Sequence, residues 1–286
     1  MAVVRGDVVE ARHRVHAVAV HEGRVVEAAG DPELLTYFRS SAKPLQALPL
    51  ARLRPDLDDT EIAIACASHL ARSEQLAAVR SLLERADTTE DDLECGPDPT
   101  RLEHNCSGKH AGFLLVCRER GWPTSGYRLP EHPLQRLLSE QIAAAAEVDA
   151  AHILTGVDGC GVVTWALPLD RMANAFARLP TLDGGGRTLA AMRAHPALIR
   201  GPLAGDVVLM RTLPGWSAKG GAEGLLCAVS PDGVGIALKA EDGSWRALRP
   251  AVAELLRRLG HDPGGVGVVS LENSRHEVVG ELVIER

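Results

Sequence analysis

Residues 3–28 alternate apolar and polar side chains on both sides of a glycine, and this pattern constrains the fold more than any other stretch. Apolar residues recur at every second position from Val15 to Ala19, and further valines follow Gly23. A two-residue period places these side chains on one face of a strand, and glycine favours the tight turn of a hairpin. The pattern therefore predicts two strands of an antiparallel sheet.

Longer stretches downstream carry helical spacing of apolar residues. The predicted helices are residues 45–53, 75–86, 134–147, the stretch from 187 to about 197, and 249–259. The predicted later strands are residues 153–155, 206–210, 226–229, 234–238 and 277–284. With no internal repeat and no obvious linker, these elements indicate one mixed domain of helices and strands over residues 1–286.

Composition narrows the classes of function. The chain is 45% hydrophobic, 24% charged and only 3% aromatic, so a globular core must be built from Ala, Val and Leu. A net charge of −7 argues against a nucleic-acid or anionic-membrane partner. No apolar run reaches the roughly 18 residues of a membrane span, and residues 1–7 lack the apolar region of a signal peptide. We therefore expect a cytoplasmic protein whose six cysteines are reduced thiols or metal ligands.

A serine and a lysine three residues apart, Ser40 and Lys43, stand just before an apolar run. Residues at this spacing share one face of a helical turn, so the hydroxyl and the amine can meet. A neutral lysine can take the serine proton and make the oxygen a nucleophile. Pro44 places the start of a helix within about one turn of Ser40, where free N–H groups favour a developing oxyanion. The alternative is a helix-capping serine followed by a solvated lysine.

Lysine is rare in this chain, which makes its positions informative. Of the 31 basic residues, 27 are Arg. Arg stays protonated in proteins, whereas a buried lysine can lose its proton and act as a base. Lys43, Lys109 and Lys219 each stand in a turn-like stretch bordered by Ser or Gly, while Lys239 has the setting of an ordinary surface residue. The first three are therefore expected to be titratable amines of a functional site.

Three other stretches are also candidates for a site. Residues 104–110 place a thiol, an amine, two imidazoles and an amide within seven positions. Residues 156–161 carry Asp158 and Cys160 among three glycines, which implies tight backbone and close approach to a ligand. Ser68 follows a small apolar run, as in a buried element that delivers a hydroxyl to a cleft, or in a plain helix cap.

Together these motifs resemble, in order, the asparaginase II family of thermolabile, rhizobial-type L-asparaginases. The matching stretches are residues 39–44, 66–69, 105–110, 156–161, 192–196 and 219–224. The resemblance spans most of the chain. It implies a fold of the α+β class similar to serine β-lactamases and glutaminases, an antiparallel sheet flanked by helices, and it implies a homodimer.

The resemblance also implies the catalytic and metal-binding residues. Two Ser-Lys pairs are expected to be catalytic, Ser40 with Lys43 and Ser68 with Lys219. A zinc ion and a water are expected on three residues, Cys106, Lys109 and Cys160. Two thiolates and a neutral amine form a plausible tetrahedral set with one open position. The alternative for this set is two reduced core cysteines.

Further residues are expected to bind substrate. Arg39 can hold an α-carboxylate with two parallel hydrogen bonds. Asp158 can face the substrate α-ammonium or orient the metal ligands. The other expected contacts are His69, Asn105, Gly220 and Gly221.

The expected reaction is hydrolysis of the side-chain amide of L-asparagine to aspartate and ammonia. Ser40 or Ser68 attacks the amide carbon, a neutral lysine takes the proton, and water releases the acyl-enzyme. The favoured assignment has Ser40 as nucleophile and Lys43 as base, with Ser68 and Lys219 relaying protons. Whether glutamine is also cleaved is left open by the sequence.

Two other functions are compatible with parts of the pattern. Ser-x-x-Lys and a late Lys-Gly-Gly also occur in penicillin-recognising serine acylases. Against that class, the chain has no Ser-Asp-Asn motif and no recognisable export signal. A catalytically inactive zinc or amino-acid binding protein would bind without releasing ammonia.

Overall fold

The fold is organised on a five-stranded antiparallel sheet that crosses the molecule. The computed structural model describes residues 1–285. Its strands are β1 Ala2–Arg5, β2 Val8–Arg12, β3 Val15–His21, β4 Arg24–Ala29, β5 Leu35–Tyr37, β6 Leu154–Val157, β7 Val163–Pro168, β8 Ser217–Gly221, β9 Leu225–Val229, β10 Gly235–Ala240, β11 Ser270–Glu272 and β12 Val278–Val283. The central sheet has the order β4-β3-β10-β9-β8.

The helices pack around this sheet and connect its strands. They are α1 Lys43–Gln46, α2 Leu48–Leu53, α3 Asp59–Ala65, α4 Ser73–Arg85, α5 Ser107–Arg120, α6 Pro133–Ala146, α7 Leu169–Arg178, α8 Gly185–Ala194, α9 Pro196–Ile199, α10 Gly205–Thr212 and α11 Leu248–Arg258. A short 3₁₀ helix, Arg39–Ala42, precedes α1. Two smaller antiparallel sheets have the orders β11-β12-β1-β2 and β5-β7-β6. The α+β class with antiparallel sheets is therefore confirmed.

The core lies on both faces of the central sheet. All six residues of β10 are buried, and helices α7 and α11 both pack against β3 and β10. Gly235 opens β10 and allows α7 to approach, because a Cβ there would collide with the backbone of Ala173. With few aromatic residues, the core is filled mainly by Ala, Val and Leu, as composition predicted.

Most elements lie where the hydrophobic pattern placed them. The hairpin at Gly23 is β3–β4, with β3 and β4 paired antiparallel. The predicted helix at 45–53 is present as two short helices, α1 and α2. The amino-terminal stretch holds more strand than expected, because β1 and β2 precede the predicted hairpin and pair with each other.

Three predictions in the second half were wrong. Residues 206–210, predicted as a strand, lie in helix α10, because a five-residue apolar run has no periodicity that separates the two structures. Lys219 lies on strand β8 and not in a turn. Lys239, expected at the surface, is only 8% exposed, since it lies on the fully buried strand β10.

No helix among residues 1–285 is long and apolar enough to cross a membrane.

Candidate active site

The hydroxyl of Ser68 lies between two buried lysine amines. Lys43 Nζ is 3.1 Å and Lys219 Nζ is 3.0 Å from Ser68 Oγ. Both lysines are 0% exposed, whereas Ser68 is 8% exposed. Ser68 therefore contacts both lysines that were predicted to be catalytic, although the three residues come from distant parts of the chain.

Three elements bring these side chains together. Helix α3 is fixed at its start by a capping box between Asp58 and Glu61, and the chain after it leads to Ser68. The backbone N–H of Ser68 donates to Ile199 O, which anchors this segment to α9. Lys43 is the first residue of α1, and its amine also donates to Ala67 O.

Strand β8 supplies the other amine from the opposite side. Lys219 Nζ donates to its neighbour's carbonyl, Gly220 O, over 2.8 Å. Ser41 Oγ donates to Lys219 O over 2.9 Å, which ties β8 to the 3₁₀ helix before α1. Ser41 is fully buried, and this positioning contact was not anticipated from the sequence.

Burial disfavours the charged state of both amines. Desolvation by burial lowers the pKa of Lys43 and lowers that of Lys219 well below its ordinary value. The neighbouring Arg200 cation lowers the pKa of Lys219 further. The sulfurs of Cys106 and Cys160 act in the opposite direction on Lys43. Lys219 is therefore the lysine more readily present as a neutral amine, which is the form that can accept a proton.

A buried carboxylate that sequence reasoning missed stands behind Lys219. Asp206 Oδ2 lies 3.7 Å from Lys219 Nζ and 3.6 Å from Arg200 Nε, and it accepts the N–H of Gly220 over 2.8 Å. Asp206 is 0% exposed. Burial acts to raise its pKa, but Arg200 and Lys219 outweigh burial and hold it below the ordinary value. The sequence did offer a signal for Asp206, since it is a single acid directly before the apolar run 207–210. An acid that is buried with such a run is usually paired with a cation.

The predicted contact between Ser40 and Lys43 does not form. The Lys43 amine is directed to Ser68, and no side-chain hydrogen bond of Ser40 occurs within residues 1–285. Ser40 contributes its carbonyl, which accepts the backbone N–H of Lys43. Two side chains three residues apart can meet on a helix. Here the Lys43 amine bonds instead to Ser68, which is distant in the sequence.

The three predicted metal ligands come together beside this site. Lys109 Nζ lies 3.0 Å from Cys160 Sγ, and Cys106 Sγ donates to Asn105 Oδ1 over 3.0 Å. All three residues are buried. Gly108 allows the start of helix α5, which carries Lys109, to lie close to helix α3, because a Cβ at Gly108 would collide with Ile64 O.

The three side chains of this cluster shift one another's pKa values. The neighbouring Cys106 thiol lowers the pKa of Cys160 well below its ordinary value, while Cys160 raises that of Cys106. Burial acts to lower the pKa of Lys109, but the two sulfurs raise it above its ordinary value. Two sulfurs and one amine nitrogen thus converge in a buried space, and the Lys109 amine is protonated in this arrangement. Within residues 1–285, no group of three or more His, Cys, Asp or Glu side chains could hold a metal.

Arg39 and Asp158 lie near each other and form an ion pair. Arg39 Nε lies 2.6 Å from Asp158 Oδ1. Arg39 has φ +48°, and such a left-handed backbone costs a non-glycine residue about 1–2 kcal/mol. Its backbone N–H donates to Thr164 Oγ1 of strand β7 over 3.1 Å. Arg39 is therefore held in place and already engaged by a carboxylate.

The remaining predicted substrate contacts play structural parts in this geometry. His69 accepts the Ala71 N–H at Nδ1 and contacts Ser107 Oγ at Nε2, over 3.1 and 2.8 Å. Burial lowers the pKa of His69 to about 4, so the ring is neutral at pH 7. Asn105 O accepts the backbone N–H of His69.

The two glycines of β8 allow close packing. A Cβ at Gly221 would lie 3.0 Å from both Phe38 O and Ser41 Oγ. A Cβ at Gly220 would lie 2.8 Å from the ring of Trp245. The backbone of β8 can therefore approach the segment before α1 on one side and Trp245 on the other.

A buried serine hydroxyl between two lysine amines is an arrangement that can activate a serine nucleophile. The family model described as L-asparaginase II matches residues 1–284. The chain belongs to the L-asparaginase II family, a family of amidohydrolases. No curated protein matches the sequence of this chain.

Solved structures are similar to this chain at low sequence identity. The crystal structure of Mglu in its native form has a TM-score of 0.51 at 13% identity, covering 91% of this chain and 68% of that chain. A β-lactamase from Mycobacterium bovis has a TM-score of 0.38 at 14% identity, covering 84% and 94%. An octameric penicillin-binding protein homologue from Pyrococcus abyssi has a TM-score of 0.38 at 12% identity, covering 87% and 74%. Of these three TM-scores, only that of the Mglu structure is high enough to indicate a shared fold.

Proposed function

We propose that this protein hydrolyses the side-chain amide of L-asparagine to aspartate and ammonia, with Ser68 as the nucleophile. The observation that carries the proposal is the position of Ser68 Oγ, 3.0–3.1 Å from two buried amines. Membership of the L-asparaginase II family supports the choice of an amide substrate. This assignment replaces Ser40 by Ser68 as the favoured nucleophile.

The two lysines have different tasks in this proposal. Lys219 donates an N–H to Gly220 O, which leaves its lone pair free to take the Ser68 hydroxyl proton. Two amines so close together in a buried site cannot both stay charged. Lys43 is the protonated partner, and it gives its proton to the departing ammonia.

Deacylation reverses these roles. Lys43, now neutral, takes a proton from the attacking water, and Lys219 returns its proton to Ser68 as the acyl bond breaks. The atoms balance: one water enters, and aspartate and ammonia leave. Both lysines then return to their starting protonation states.

We further propose that Cys106, Lys109 and Cys160 hold a zinc ion. Two convergent sulfurs, one of them with a strongly lowered pKa, support this assignment. A bound zinc supplies Lewis-acid character and compensates the negative charge of the sulfurs. A homodimer, a cytoplasmic location and the absence of nucleic-acid partners remain predictions from the sequence. So do the contacts of Arg39 and Asp158 with substrate.

The test is ammonia release from L-asparagine and L-glutamine by the wild-type protein, Ser68→Ala and Ser40→Ala. We expect asparagine hydrolysis by the wild type, loss of at least about 10³-fold in Ser68→Ala, and substantial activity in Ser40→Ala. A Ser68→Ala protein that folds and keeps wild-type activity would remove Ser68 from the mechanism. Mass spectrometry after incubation with penicillin tests the acylase alternative, since only that alternative expects a stable adduct on Ser68.

A further inference from the structure

Arg200 reaches the serine site from the chain that follows helix α9. Its side chain is only 16% exposed, and the residue before it, Ile199, accepts the backbone N–H of Ser68 over 2.8 Å. Arg200 Nη2 donates to Gly220 O over 2.8 Å, on strand β8 next to Lys219. This two-residue segment therefore joins the part of the chain that carries the serine to the strand that carries the proposed base.

One backbone carbonyl holds two basic side chains in this region. Gly220 O accepts hydrogen bonds from Arg200 Nη2 and from Lys219 Nζ, each over 2.8 Å. The two nitrogens are therefore no more than about 6 Å apart, a separation at which like charges disfavour each other. An arginine keeps its proton in a protein, whereas a buried lysine can lose it. If one of these two charges is given up, it is that of Lys219.

The carboxylate of Asp206 faces both basic side chains. Its Oδ2 lies 3.6 Å from Arg200 Nε and 3.7 Å from Lys219 Nζ, and it accepts the N–H of Gly220. Asp206 and Lys219 are both 0% exposed. A buried carboxylate needs a compensating positive charge, and Arg200 supplies one permanently. Without Arg200, that charge would have to come from a protonated Lys219, which cannot accept a proton from Ser68.

Trp245 holds the guanidinium from its other side. The Arg200 guanidinium lies 4.8 Å from the centre of the Trp245 ring. A Cβ at Gly220 would lie 2.8 Å from two carbons of that ring and 3.2 Å from Arg200 Nη1, so the missing side chain lets both groups pack against β8. The face of an aromatic ring attracts a cation, which favours a charged and fixed Arg200 at this place.

We propose that Arg200 is a positioning residue for the reaction: it is the permanent cation that pairs with Asp206, and it thereby leaves the Lys219 amine neutral and hydrogen-bonded to Ser68. This inference rests on the proposed function and adds a residue that acts through Lys219. The pKa of Lys219 agrees with it, since burial lowers that pKa most, Arg200 lowers it further and Asp206 raises it. Other titratable groups close to Lys219 are Lys43, Cys66, Cys106 and Cys227.

The pH profile of kcat tests the charge of Arg200. Arg200→Gln removes the cation and leaves Asp206 to favour a protonated Lys219, so the pKa of Lys219 should rise. We expect the acid limb of kcat for L-asparagine to move at least about one pH unit higher, with part of the rate regained above that limb. Arg200→Lys keeps a cation beside Asp206 and should return the limb towards its wild-type position. A loss of kcat that is equal at every pH would indicate a structural role and overturn the inference.

A second comparison does not depend on the folding of Arg200→Gln. That variant leaves Asp206 buried without its arginine, whereas Arg200→Gln combined with Asp206→Asn removes both charges at once. Relative to Asp206→Asn alone, the double variant lacks only the repulsion by Arg200, so its acid limb should lie at higher pH. Identical limbs in these two folded proteins would exclude an effect of Arg200 on Lys219. Arg258→Gln is the matched control, because Arg258 pairs with Glu254 on helix α11 and should leave the limb unchanged.

Direct titration of the amine judges the inference without any substrate. The chain has only four lysines, so lysine labelled with carbon-13 at Cε gives few NMR signals, and Lys219→Met identifies that of Lys219. We expect this signal to titrate at a higher pH in Arg200→Gln than in the wild-type protein. An unchanged midpoint refutes the role of Arg200 even if asparagine is hydrolysed. A raised midpoint supports that role even if L-asparagine is not the substrate.

Discussion

Replacing Asp206 by Asn should move the acid limb of the pH profile to lower pH. Burial and Arg200 lower the pKa of Lys219, whereas Asp206 raises it. Asn keeps the shape of the side chain but removes its charge. The pKa of Lys219 should therefore fall further, and Lys219 should be neutral, and able to accept the Ser68 proton, over a wider acidic range.

The size of this effect follows from the geometry. A Lys219 ammonium 3.7 Å from the Asp206 carboxylate is attracted by about 4 kcal/mol at an effective dielectric constant of about 20. All of that attraction favours the protonated amine. Loss of one partner from a buried charge pair also costs about 3–5 kcal/mol of folding stability. Asn should reduce that cost because it still accepts one of the two backbone N–H groups that Asp206 binds, those of Gly220 and Val207.

The assay is kcat for L-asparagine measured from pH 4 to pH 9, with circular dichroism at each pH to confirm folding. Other charged or titratable groups that influence Lys219 are Lys43 and Cys106, and neither is altered by the substitution. Asp56→Asn is the matched control, since Asp56 pairs with Arg54 at the surface and should leave the profile unchanged. An acid limb that stays in place, or moves to higher pH, in a folded Asp206→Asn protein would refute the assignment of Lys219 as the base.

Three other outcomes follow from the same site. The Lys43→Arg protein should remain folded and lose at least about 10²-fold in kcat, because Arg cannot exchange the proton that this position must give and take. Retention of more than about a tenth of the wild-type rate would exclude proton transfer at Lys43. Protein purified without chelator should contain close to one equivalent of zinc, and Cys160→Ser should lower that content in metal analysis; a metal-free wild type with freely alkylated thiols would favour plain core cysteines. The wild-type rate at saturating L-asparagine should rise with pH as lysine is deprotonated and should be sustained into the mildly alkaline range, whereas a maximum near pH 5 with a fall towards pH 8 would indicate a carboxylate acid-base pair.

The local patterns of the chain were sufficient for a mixture of helices and strands and for most of these elements. The alternation around Gly23 predicted the β3–β4 hairpin, and helical spacing predicted α4, α6 and α11 to within about two residues. These signals are carried by neighbours in sequence, so periodicity alone reveals them. Rare lysines in a chain rich in arginine also singled out Lys43, Lys109 and Lys219, because an amine that must lose its proton cannot be replaced by a guanidinium.

Only the tertiary structure decided which serine those lysines serve. Spacing paired Lys43 with Ser40, but in the folded chain the amine bonds to Ala67 O and to Ser68 Oγ, 25 residues away, in the segment after α3. Asp206 gained its importance in the same way, since helix α10 and strand β8 meet only in the folded chain. The spacing of residues in the sequence shows only which side chains can meet within one turn of a helix. The energy of a buried charge depends on everything packed around it, and that is set by contacts between segments far apart in sequence.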